Sequence, residues 1–370
     1  MTYGEYPARR AVAERVRDHF VRQLDGAKPV PDVSSIEALI DAGFWTSLRR
    51  EEGYVPIISL ALVEPDETPH PIHFASPLPL SPAALARVAP AVERPGIHLG
   101  VSRNGADFGV WGATRALPPN CLVLEVAAPG LLVVKQYRGE EQTKYANIAV
   151  LEADQVKIVD ERASTRPDCP TVVSSLLGFD SPTSWADSAN VLVQVAVSMR
   201  AHKRGGLLLV VPAGSDRWRE SIVSPISYEL SPPFGGLTDL LAERAANRDR
   251  LWQDALGRAV EGIAGLTAVD GATIVTDRHE LLAFGAKITR RRGSAPVEQT
   301  TVTEPIEGGT PELVHPASLG GTRHLSAAQF VHDQQDAVAL VASQDGRFTV
   351  FAWSACENMV HAHRVEVLLL

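Results

Sequence analysis

Two short segments carry residue types that can do chemistry. The first is Asp270-Gly271-Ala272, set between a helical tract and the apolar run Thr273-Ile274-Val275. A carboxylate in such a place can hold a divalent cation or take a proton from a hydroxyl. Glycine lets the backbone approach a ligand closely, and alanine keeps the space beside the acid open. The second segment, Gly320-Gly321-Thr322-Arg323-His324-Leu325-Ser326, opens an alanine-containing helix. Backbone N–H groups at a helix start favour an anion, while Arg323 and the Thr322 hydroxyl add donors suited to phosphate oxygens. Each segment alone also has a plainer explanation. Asp-Gly is a common turn, and Thr caps many helices.

The elements that must position these residues read as two domains, since single cores stop growing near about 250–300 residues and the chain has 370. Its composition, 45% hydrophobic and 21% charged with a net charge of −9, is that of a globular protein. That balance points away from nucleic acid and from anionic membranes as partners. Cys121, Cys169 and Cys356 are far apart and form no CxxC pair, which excludes a disulfide scaffold. The N-terminus has no basic stretch followed by an apolar one, and apolar runs such as Leu207 to Val211 fall short of the ~18 residues that span a bilayer. A cytoplasmic protein is the expectation.

In the first half, helical spacing of Val12, Val16, Phe20 and Val21 predicts a helix over Arg9 to Leu24. Asp32 or Ser34 caps a second over Ile36 to Phe44, and Ser81-Pro82 opens a third. Val55 to Val63 reads as a strand, and several more follow between Gly96 and Val159 in an antiparallel sheet or meander. That is an α+β domain over residues 1–185, with turn-rich sequence near its end. Beyond it strand and helix alternate in an α/β pattern over 186–370. Ala189 to His202 and Gly236 to about Ile263 read as helices. Gly206 to Val211, Ala272 to Val275, Ala337 to Val341 and Phe348 to Trp353 read as strands, and Thr289 to Gly320 as a long loop.

Taken together, the two chemical segments resemble the diadenylate cyclase (DAC) domain family, whose hallmarks are a DGA motif and, about fifty residues later, a GTRHR motif. Lys203 to Val211 resembles its early strand, and Asp336 to Gly346 its late strand and Ser-Glu-Glu turn. The resemblance covers roughly Asn190 to Val360. It implies a central mixed sheet flanked by helices and a nucleotidyl transfer that condenses two ATP into cyclic di-AMP and pyrophosphate. The partners it implies are ATP or a cyclic dinucleotide and a second copy of the chain, with the two domains face to face in a homo-oligomer. Asp270 would be the catalytic residue and bind Mg²⁺ or Mn²⁺. Gly271, Ala272, Gly321, Thr322, Arg323, His324 and Ser326 would contact the nucleotide. The N-terminal region resembles DACNV, a sensor domain that precedes DAC domains in some bacterial proteins, through Gly109 to Gly112 and Glu125 to Lys135.

Two departures bear on turnover. The second Arg of GTRHR is Leu325 here, which removes a cation. The Ser-Glu-Glu turn reads Ser343-Gln344-Asp345-Gly346. One alignment makes Asp345 the second metal ligand; an ungapped count puts Gln344 there and loses the acid. The alternative to the enzyme is therefore a weakly active or purely nucleotide-binding domain. Elsewhere, His361-Ala362-His363 reads as a surface pair and Arg290-Arg291-Arg292 as a solvated charge run. No P-loop and no Gly-x-Ser-x-Gly occurs.

Overall fold

The computed structural model describes residues 4–24, 30–105, 107–139, 145–160, 170, 173, 188–243 and 250–370. The chain divides into two compact units, Met1–Asp160 with Leu370, and Glu161–Leu369. The turn-rich stretch read as the boundary falls largely outside the described residues.

In the first unit the helical periodicity becomes α1 (Arg9–Leu24), which buries Val12, Val16 and Phe20. Helix α2 (Val33–Ser47) starts at Asp32, whose side chain accepts from the Ser35 N–H at 2.9 Å and satisfies a donor the first turn would leave unpaired. Helix α3 (Pro82–Val92) is capped by Ser81 and has Pro at its first position. Eight strands form one sheet: β1 (Ile58–Leu62), β2 (Ile72–Pro79), β3 (His98–Asn104), β4 (Asp107–Thr114), β5 (Leu122–Ala128), β6 (Leu131–Tyr137), β7 (Tyr145–Glu152) and β8 (Gln155–Ile158). Their order is β2-β4-β3-β1-β5-β6-β7-β8. Strand β1 begins at Ile58 rather than Val55; Pro56, which has no N–H to give a ladder, stands before it. β5 to β8 form the expected meander, but β1 runs parallel to β3, so the sheet is mixed rather than antiparallel. A parallel neighbour needs a crossover, and here the connection includes α3.

The second unit holds helices α4 (Ser188–Ala201), α5 (Gly236–Ala242), α6 (Arg250–Leu266) and α7 (Gly321–Asp333). Its nine strands are β9 (Gly206–Val211), β10 (Tyr228–Phe234), β11 (Ala272–Thr276), β12 (Leu281–Ala286), β13 (Thr300–Thr303), β14 (Glu312–Val314), β15 (Val338–Ala342), β16 (Phe348–Ser354) and β17 (Met359–Arg364). They order as β10-β12-β11-β9-β15-β16-β17-β13-β14, a second mixed sheet. Every residue of β9 is buried, as a strand covered on both faces requires. On one face Leu207, Leu209 and Val211 join a core with Ala327, Phe330 and Val331 of α7. α4 packs against α6 and β15. Phe330, Phe348 and Phe351 are among the largest fully buried side chains, each worth roughly 1.5–3 kcal/mol of burial.

Three expectations are corrected. Residues 289–320 are not one loop: they contain β13, β14 and a short helical turn at Pro316–Leu319. The tract from Gly236 forms two helices, not one. Strands β10 and β12 extend the sheet beyond β11, where no strand was read. β10 carries Pro232 and Pro233 and sits at the sheet edge, where a strand tolerates missing donors.

This topology has a consequence at one end of the sheet. β9 and β11 are parallel with Leu208 opposite Thr273, so Gly205 and the Asp270-Gly271 turn precede them on the same edge. β15 is antiparallel to β9, with Ala342 opposite Gly206. Gln344 therefore emerges at that edge too.

Candidate functional site

Asp270 stands on the turn between α6 and β11, with 88% of its side chain exposed. Its carboxylate lies 2.5 Å from Nζ of Lys287, just past β12. That hydrogen bond and the charge behind it hold the carboxyl below its ordinary value, and the Arg323 guanidinium adds to the effect. Two motifs about fifty residues apart thus lie at the same end of the sheet.

Gly271 is required by geometry. Its φ is +116°, and a Cβ there would stand 2.5 Å from the carbonyl carbon of Gly285. The close approach follows from the antiparallel pairing of β11 with β12, in which Ala272 faces Ala286. Ala272 is fully buried in the sheet core.

At the second motif Gly321 adopts φ +74° and begins α7, with Thr322 exposed. Arg323 is half-buried, and its Nη1 stands 2.9 Å from where a Cβ on Gly205 would be. His324 is different in kind. It is buried, with Nδ1 2.8 Å from the Gly320 carbonyl and Nε2 3.5 Å from the Thr349 hydroxyl. Burial lowers its pKa, so the neutral ring donates from Nδ1 and accepts at Nε2. It anchors the first turn of α7. Leu325 and Ser326 line a hollow of about 560 Å³ with Ile288, Arg290, Val297 and His315 among its walls.

Gln344 and Asp345, the residues the two alignments put forward, take different places on the Ser343 to Arg347 turn. Gln344 packs against Gly205 beside Arg323, and its Nε2 lies 3.4 Å from the Arg204 carbonyl. Asp345 is tied to Arg347, at 3.4 Å from Nε and 3.3 Å from the backbone N–H. Among the described residues no group of three or more His, Cys, Asp or Glu side chains is arranged to hold a metal. What fits a divalent ion here is one ionised, exposed carboxylate. Mg²⁺ is commonly held through one or two carboxylates together with substrate phosphates.

Other sequence readings change. His361 and His363 are not a surface pair: both are buried on β17. His361 meets Glu357 at 2.9 Å and His363 meets Thr303 at 2.8 Å. Arg291 is not simply solvated either: its Nη1 donates to the Asp333 carbonyl at 3.4 Å, and its backbone N–H to the Asp333 carboxylate at 2.8 Å. Lys287 carried no sequence signal, nor did the Tyr228–Phe284 stack beside Gly285, with rings 4.7 Å apart. In the first unit a hollow of about 420 Å³ lies by the start of α2, walled by Leu62, Val101, Phe108 and Cys121 with Glu64 and Glu67 among its lining.

Residues 25–115 match the family described as "Probable sensor domain DACNV". That segment includes α2, α3 and β1 to β4, and the match supports a sensor domain in the N-terminal unit. No curated protein matches the chain. Among solved structures, a hypothetical membrane spanning protein from Bacillus cereus is similar at 18% identity over 51% of this chain and 68% of its own. Its TM-score is 0.28, a likeness too loose to carry an argument. Among the described residues no helix is long and apolar enough to cross a membrane.

Proposed function

We propose that the C-terminal unit is a diadenylate-cyclase-type nucleotidyltransferase domain that condenses two ATP into cyclic di-AMP, governed by the N-terminal sensor domain. The observation that carries this reading is that Asp270 and Arg323 stand at the same end of the sheet, Asp270 before β11 and Arg323, near the start of α7, against Gly205 before β9. An ionised acid beside a guanidinium and a helix N-terminus suits a triphosphate, because phosphoryl chemistry rests mainly on positioning and charge neutralisation.

In this reading Arg323 and Thr322 grip phosphate oxygens while His324, buried beneath them, keeps the turn in place. Asp270 is the residue that would hold Mg²⁺ or Mn²⁺, which when bound neutralises charge on the triphosphate and the departing pyrophosphate. The 3′-hydroxyl oxygen of one ATP forms the new bond to the α-phosphorus of the other. Pyrophosphate leaves, and the hydroxyl proton passes by way of the Asp270 carboxylate to water. Two transfers close the ring, so two copies of the domain face each other. The hollow beside α2 is the place in the sensor domain for a small ligand.

A second reading, nucleotide holding without turnover, is favoured by Gln344 beside Arg323 and by Leu325 facing a hollow rather than adding a cation. Incubation with ATP and Mn²⁺ separates the two. Cyclic di-AMP formed by the unaltered chain and absent with Asp270→Asn is the expected result. If no cyclic dinucleotide forms but calorimetry detects ATP or cyclic di-AMP binding, the second reading holds. Binding of neither would sink both.

A further inference from the structure

The exposed ion pair Lys287–Asp270 is out of keeping with a structural role. With 56% and 88% of the two side chains in solvent, such a pair contributes little to the fold. Its geometry is nonetheless set firmly. The pairing of Ala272 with Ala286 brings Lys287 across from Gly271. Gly271 lies hard against the Gly285 carbonyl, and the Lys287 carbonyl accepts from the Val223 N–H at 2.8 Å. The backbone on both sides is pinned, while the Lys287 side chain stands 56% in solvent.

The charges around this pair are unbalanced. Two cations, Lys287 and Arg323, act on the single carboxylate of Asp270. Leu325, where the resembled motif has an arginine, lies against the hollow with Ile288 and Val297 and brings no charge. A cation missing from α7 is thus matched by one supplied from β12.

We propose that Lys287 is a nucleotide-binding residue of this site, pairing with Asp270 when the site is empty and turning to the phosphate oxygens when a nucleotide is bound. The proposal rests on the reading of the domain as a nucleotide site and deepens it. A lysine suits the task, because its ammonium is a compact charge on a flexible stem. It can exchange one carboxylate oxygen for a phosphate oxygen by side-chain rotation alone.

The test is calorimetric titration of the full chain with ATP, comparing Lys287→Gln and Lys287→Arg, with urea unfolding to confirm the fold. Loss of one charge-assisted hydrogen bond should weaken ATP binding by about tenfold or more in Lys287→Gln. Lys287→Arg should recover most of it, and neither variant should move the urea midpoint. ATP binding by Lys287→Gln at the strength of the unaltered chain would overturn the proposal and leave the nucleotide reading standing. So would a loss that comes with a lowered urea midpoint and that Lys287→Arg does not rescue. No ATP binding by the unaltered chain would overturn the nucleotide reading itself, and this proposal with it.

Discussion

Asp270 and Asp333 are acids of the same unit, and the fold treats them in opposite ways. Asp333, at the end of α7, is buried. It accepts from the Arg291 N–H at 2.8 Å, from Gln329 Nε2 at 3.0 Å and from the Ser294 hydroxyl, with His332 3.1 Å away. Asp270 lies near the opposite end of that helix, exposed, with an exposed lysine as its side-chain partner. An acid whose lone pairs are filled by its own chain is committed to the structure. One left with a side chain that can turn away is available to a ligand.

The contrast can be broken by substitution. Asp333→Ala should cost most, about 3 kcal/mol, because it leaves three donors buried or half-buried without their acceptor. A fall in the urea midpoint measures it, and an unchanged midpoint would mean that the cluster is not structural. Gly271→Ala should cost about 2 kcal/mol, since its Cβ would meet the Gly285 carbonyl at a φ that disfavours side chains. Retention of both stability and ATP binding in that variant would refute the close approach of β11 to β12.

Acidification should have a smaller effect. Burial holds His324, and likewise His279 and His98, below the ordinary histidine pKa. The unfolded chain, titrating near 6.5, therefore takes up protons first. Stability is whole above about pH 6.5 and declines as the pH falls toward the depressed folded values. Urea midpoints between pH 7.5 and 5.5 should show this decline, and His324→Gln should flatten part of it. The smallest effect on stability is expected for Asp270→Asn. It should leave the urea midpoint in place, abolish condensation of ATP, and in metal-free buffer strengthen ATP binding by releasing Lys287. Weaker metal-free binding in that variant would count against the pairing of Lys287 with Asp270.

Much of the fold could be read from the chain because local signals agreed with tertiary demands. Asp32 and Ser81-Pro82 mark helix starts, and the unbroken Leu207-Leu208-Leu209-Val210-Val211 run marks a strand covered on both faces. Other elements gave no such agreement. β10 contains two consecutive prolines, which local rules read as a breaker; its edge position removes the objection. β13 and β14 are short and lie among Gly and Pro residues, and they become strands because β13 pairs with β17 and β14 with β13. At the candidate site, the charges of Asp270 and Arg323 are legible from residue type. The burial of His324 and its bond to the Gly320 carbonyl are not, because a histidine in a Gly-Thr-Arg-His string looks like an exposed donor.

By itself the sequence determined which residues bring charge: an acid next to Gly-Ala, and an arginine in a glycine-led helix start. It also determined that an α+β unit and an α/β unit could each bury a core. Tertiary structure alone decided that the two motifs share an edge, since that depends on β9 and β11 being parallel and on β15 returning beside them. It decided as well that Gln344 lies by Arg323 while Asp345 turns to Arg347. Lys287 was an ordinary lysine in the sequence. Only strand register, which pairs residues without regard to their distance along the chain, set it against Asp270.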